Sequence, residues 1–190
     1  VIWALLIGTA VALYVILDGF DLGIGILFPF AKEEKEQDQM INSIAPFWDG
    51  NETWLVLGGG GLWVAFPHAY AVVMPALYLP VIVMLLALVF RGVSFEFRAV
   101  AIASKAYWNF AFAAGSALAA ICQGVILGAL IQGIDVKDGA FAGGAFEWAT
   151  AFALMCGLHA AAETGVGRDV DVSLFDVAMH QLSYPAAWYL

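Results

Sequence analysis

The chain has 190 residues, 63% of them hydrophobic and 12% charged, with a mean hydropathy of +0.89 and a formal net charge of −9. Soluble domains carry about 25% charged residues, so an ordinary soluble fold is excluded and an all-α integral membrane protein is expected. The acidic balance and the lack of a basic cluster exclude nucleic-acid binding.

The first predicted span covers residues 2–30. At 1.5 Å per residue such a helix rises about 42 Å, enough to cross a bilayer with some tilt. It carries Asp18 and Asp21, each costing about 2.5–3.5 kcal/mol near the bilayer centre. Its Leu, Ile, Val and Phe side chains return about 8 kcal/mol, so insertion wins by a small margin. The i, i+3 spacing puts both acids on one face. Gly8, Ala12, Gly19 and Gly23 form a separate smooth stripe that a second helix can approach closely. Intramembrane carboxylates are functional candidates by default. The alternative is that they cap a break in a glycine-weakened helix.

Residues 31–39 read as a polar surface loop. The second span, 43–66, holds Trp48, Asp49, Asn51, Glu52 and Trp54, then four consecutive glycines, Gly58 to Gly61. Asp49 and Glu52 again share a helix face. The tryptophans are either interface anchors or walls of a site around these acids. His68, at the following turn, is more simply solvated than a haem ligand. The third span, 69–90, has Pro75 and Pro80 as kinks. A basic segment with Arg91, Arg98 and Lys105 follows. Together with Lys32 and Lys35 it marks the cytoplasmic side, which puts the first residue outside. Arg91 either snorkels from a helix end or pairs with an intramembrane acid.

The fourth span, 107–131, is uncharged and rich in Ala and Gly, with Gln123 as its main interior polar group. Residues 135–144 read as a loop. A fifth apolar stretch, 146–162, is at the lower limit for crossing. Cys122 and Cys156 read as small buried hydrophobes, not as a disulfide or metal site. From Glu163 onward the composition becomes that of a soluble protein.

Several separated motifs carry a resemblance. They are Asp18-Gly19-Phe20-Asp21-Leu22-Gly23, Met40-Ile41-Asn42-Ser43-Ile44-Ala45-Pro46, Trp48-Asp49-Gly50-Asn51, Gly59-Gly60-Gly61, Phe90-Arg91-Gly92-Val93 to Phe97-Arg98, and Gln132-Gly133. In this order they make residues 1–158 resemble subunit II of the cytochrome bd-type quinol oxidases, including the cyanide-insensitive branch. The resemblance implies a multi-pass protein of the bacterial inner membrane, of which this chain holds the first four-helix repeat. It implies a haem-bearing partner, subunit I, holding haems b558, b595 and d, with quinol as substrate and dioxygen reduced to water. This chain itself is expected to bind no haem and no metal, and to contact membrane lipid and a bound quinone. Asp21 and Asp49, then Asp18, match the family's acids linked to proton supply from the cytoplasm. Glu52 adds a carboxylate where Gln is common in the family. Gly8, Gly19, Gly23, Trp48, Arg91 and Arg98 are expected to serve packing and structure.

Residues 159–190, through Glu163-Thr164-Gly165-Val166-Gly167-Arg168-Asp169, resemble instead a piece of a family III CoA-transferase, without that family's catalytic aspartate. The chain therefore reads as a chimera or fusion, begun in mid-sequence and lacking a second repeat. On residues alone, a small proton or cation transporter using the same acids is the competing function.

Overall fold

The computed structural model describes residues 1–101, 104–146 and 148–163, the last four of these as backbone only. The CoA-transferase-like segment lies almost wholly outside the described residues. Seven helices and a small hairpin follow one another: α1 Ile2–Leu27, a 3-10 turn Phe28–Phe30, α2 Glu34–Ile44, α3 Trp48–Ala65, α4 Pro67–Ala76, α5 Tyr78–Val100, α6 Lys105–Gln132, β1 Val136–Lys137, β2 Ala140–Phe141 and α7 Ala151–Glu163. Among the described residues, three segments are long and apolar enough to cross a membrane: Ile2–Phe30, Tyr78–Val100 and Lys105–Gln132. The stretch expected as the second span is less apolar, because α3 opens on Asp49 and Glu52 and spends four positions on glycine.

The helix boundaries have local causes. The expected loop at 31–39 is largely α2, started by a capping box in which Glu33 and Glu36 satisfy each other's first-turn amides. Pro67 opens α4 at a position whose N–H is not needed by the helix. The expected third span is two helices, broken at Leu77. Pro80 has no N–H to donate to the Ala76 carbonyl, so the α4 ladder cannot run on. α5 then continues ten residues past Phe90, and Arg91 and Arg98 lie inside it. The reason is visible in its spacing: Arg91, Ser94, Phe95 and Arg98 recur at i, i+3, i+4 and i+7 and are all buried. Gly133, at φ +96°, ends α6. The expected loop after it is a hairpin pairing Val136 with Phe141. Asp138 and Gly139, at φ +53° and +75°, make the turn, the Asp-Gly pattern suited to two left-handed positions. The fifth stretch begins only at Ala151, and its helix continues to Glu163, the last described residue.

α5 lies along α6, α7 covers the other end of α6, and α1 packs against both α3 and α6. The cores are stacked along this bundle. Phe28, Ile41, Ile44, Phe95 and Phe112 sit at the α2 end, Leu22, Met84, Leu88 and Ala119 in the middle, and Leu77, Val125, Ala129 and Ala153 toward the hairpin.

Close helix approach is achieved by small residues. Nothing lies within 4 Å of where a Gly19 side chain would begin, so Gly19 packs against nothing among the described residues. Gly23 is buried. The tight contacts are elsewhere. A methyl on Gly25 would overlap Ser116, one on Gly115 would meet the Ala87 carbonyl at 2.9 Å, and one on Gly128 would meet Ala153 Cα at 2.7 Å. The buried positions of α1 and the turn after it are Ile7, Ala10, Tyr14, Asp18, Asp21, Leu22, Gly23, Gly25 and Phe28. The acids therefore face the protein interior, among the packed side chains of α1. A counter-charge from α5 makes this possible.

Candidate functional site

That counter-charge is Arg91. It stands mid-helix on α5 with its side chain wholly buried. Its Nη1 donates to Asp18 Oδ1 at 2.9 Å and to Glu52 Oε1 at 2.9 Å, and its Nη2 stands 3.6 Å from Asp21 Oδ2. α1, α3 and α5 thus each contribute to one charged cluster. Asp21 is oriented from the other side by Asn51, whose Nδ2 donates to its Oδ2 at 2.8 Å. Asp18 is fully buried, whereas the Glu52 side chain keeps 22% of its exposure on the open face of α3. A guanidinium is suited to this role, since its planar fork serves several carboxylate oxygens at once. Asp18 Oδ2, Arg91 Nε and Arg91 Nη2 are buried with no hydrogen-bond partner among the described residues.

Of the four predicted acids, Asp18, Asp21 and Glu52 converge on Arg91. Asp49 does not; it is exposed in the first turn of α3, one turn from Glu52, and its backbone carbonyl accepts from Thr53. Of the two readings of Arg91, pairing with an acid holds and snorkelling does not. Trp48 is half-buried and stacks on Phe95, with ring centroids 5.0 Å apart and planes within 9°. Its edge would sit 3.1 Å from a side chain on Gly92. It braces α3 on α5 beside the site and is no exposed anchor.

Arg98, two turns along α5, heads a second cluster at the α2 end. It bonds Asp38 of α2 at 2.8 Å and Asn109 Oδ1 of α6 at 2.7 Å, and its guanidinium lies 5.5 Å over the Phe28 ring. Asn109 donates to Gln37, and Lys105 pairs with Glu34. The Arg98 hydrogen bond holds the exposed Asp38 carboxyl below its usual range. Both basic segments thus meet at one end of the bundle. Between the two arginine clusters lies a layer of rings. Phe28 and Phe95 each meet Phe112 edge-on at 5.2 Å, and Trp48 closes the layer on Phe95.

Three further polar residues lie at or near the inner cluster: Asn51, Tyr14 and Gln123. Tyr14 was legible in retrospect, because it is one helical turn before Asp18 and so shares its face. Gln123 had only its isolation in an apolar helix as a signal.

The family model for cytochrome bd terminal oxidase subunit II matches residues 1–166, past residue 158 and through α7. The cytochrome bd-I ubiquinol oxidase subunit 2 of Escherichia coli (strain K12) is 34% identical over 165 residues, covering 83% of this chain and 44% of that protein. The cytochrome bd ubiquinol oxidase subunit 2 of Bacillus subtilis (strain 168) is 36% identical over 138 residues, covering 71% of this chain and 41% of that protein. The chain spans less than half the length of these curated relatives. Taken with the all-helical bundle and its buried charges, these matches show that the chain belongs to the cytochrome bd terminal oxidase subunit II family.

Proposed function

We propose that the chain is part of a haem-free membrane subunit of a quinol:oxygen oxidoreductase, and that Asp18, Asp21 and Glu52 carry protons toward dioxygen reduction. One observation supports this most strongly: three carboxylates gather on a single buried guanidinium. Three acids against one base leave two excess negative charges when all are ionised. Uncompensated charge is costly away from water, so protons shared among the carboxylates balance the site most simply. Asp49, exposed and one turn from Glu52, is the acid through which a proton would enter. The relatives' names supply ubiquinol as the substrate class. In this reading the haems reside in a partner subunit, α3 with α4 completes a fourth crossing in a bacterial inner membrane, and lipid and quinone contact the outer faces. The segment beyond residue 166 keeps its CoA-transferase-like reading, testable by sequencing the genome across the junction.

The experiment is Asp18→Asn in the intact membrane complex. It keeps the shape and one hydrogen bond to Arg91 but removes the transferable proton. Oxygen uptake with quinol is expected to fall about tenfold or more with the haem spectrum retained. Unchanged uptake would remove Asp18 from the path. Copurification of this chain without haem, as a homo-oligomer, would favour the transporter instead.

A further inference from the structure

On the inward face of α1, Tyr14 stands one turn before Asp18 and is only 4% exposed. Its hydroxyl accepts a hydrogen bond from Gln123 Nε2 of α6 at 2.5 Å, and the helical spacing puts it on the same buried face as Asp18. A phenol oxygen that accepts from an amide still has its own proton to give. Asp18 Oδ1 is occupied by Arg91, while Oδ2 is buried with no close partner among the described residues. Toward the start of α1 the buried positions are Ile7 and Ala10, so Tyr14 is the last buried polar group on that face.

We infer that Tyr14 and Gln123 are a positioning pair for Asp18. Gln123 orients the phenol, the phenol donates to Asp18 Oδ2, and Asp18 is thereby held with Oδ1 toward Arg91. The pair also ends the carboxylate network on the N-terminal side of α1, because no buried polar group lies beyond it there. This rests on the reading of Asp18 as a proton carrier, but the contact itself has a separate readout.

The test uses the intact complex and infrared difference spectroscopy, with the Asp18 carboxyl stretch assigned by its loss in Asp18→Asn. Tyr14→Phe removes one oxygen and is expected to shift that stretch, as a bond to the carboxyl is lost. Oxygen uptake is expected to fall about tenfold with the KM for quinol unchanged. Gln123→Leu should move both in the same direction, and adding it to Tyr14→Phe should cost nothing more, since the two act through one hydroxyl. An unmoved stretch in Tyr14→Phe, with Asp18→Asn still slow, overturns the pairing and leaves the carrier reading intact. A shifted stretch with Asp18→Asn at full speed supports the pairing and removes the carrier role. Should Tyr14→Phe fail to assemble, Gln123→Leu keeps the phenol, and an unmoved stretch there overturns the inference.

Discussion

Replacing Arg91 with Met tests the centre of the bundle. The guanidinium is fully buried and makes two hydrogen bonds of 2.9 Å to carboxylates, with a third carboxylate at 3.6 Å. Hydrogen bonds to charged groups contribute about 1.5–3 kcal/mol each, so two are worth about 3–6 kcal/mol. Removing one partner of a buried ion pair costs about 3–5 kcal/mol by itself. The two ranges agree on roughly 4 kcal/mol, or about 8–16 °C of melting temperature at about 2–4 °C per kcal/mol. Intrinsic tryptophan fluorescence of the purified protein in detergent, followed on heating, measures this. Arg91→Lys keeps the charge but not the fork, and should recover only part of the loss. Adding Asp18→Asn and Glu52→Gln to Arg91→Met should also recover part, because much of the cost is stranded negative charge. A loss under about 1 kcal/mol in Arg91→Met would refute the claim that this residue holds three helices together.

Two further predictions come from packing and from the outer cluster. Gly25→Ala would press a methyl into Ser116 and should cost about 1–3 kcal/mol, whereas Gly19→Ala meets nothing and should gain up to about 1 kcal/mol from helix propensity. The reverse order in the same melting assay would contradict the helix contacts described. For pH, the Asp38 carboxyl is held below its unfolded value of about 3.9, so its contribution is present above that value and lost as pH falls through the folded one. Amide hydrogen exchange in α2, corrected for intrinsic rate, should therefore be steady from neutrality to about pH 4 and quicken below it. Slower exchange at pH 3 would contradict the Arg98–Asp38 latch.

What could be read in advance was whatever periodicity and motif control. The 3.6-residue spacing put Asp18 and Asp21 on one face, and apolar length marked α1 and α6. The hydrophobic run of α5 was visible, but its end was not. Arg91 and Arg98 look like the end of a span to any hydropathy count, because their neutralising partners are 73 and 60 positions away in sequence. The same long-range pairing hid the fact that the acidic face of α1 is its packing face. A small-residue stripe shows where a helix can approach, not where one does, and Gly19 has no neighbour at its Cβ position among the described residues. Asp49 and Glu52 are equivalent by spacing, and only the direction from which Arg91 arrives separates them. The charge of the polar run at 31–39 suggests a loop, although Glu33 and Glu36 carry a helix start.

The ring layer between the two arginines has a consequence for how the protein senses its surroundings. Dissolved salt weakens the attraction between exposed charges over a distance of about 8 Å at physiological strength. It can reach Asp38, Glu34 and Lys105, whose side chains keep 45%, 69% and 28% of their exposure. Arg91 and Asp18, with none, lie behind Phe28, Phe95 and Phe112 where mobile ions do not follow. One end of the bundle is thus tuned by the ionic composition of the water around it, while the fully buried Arg91–Asp18 pair is screened far less.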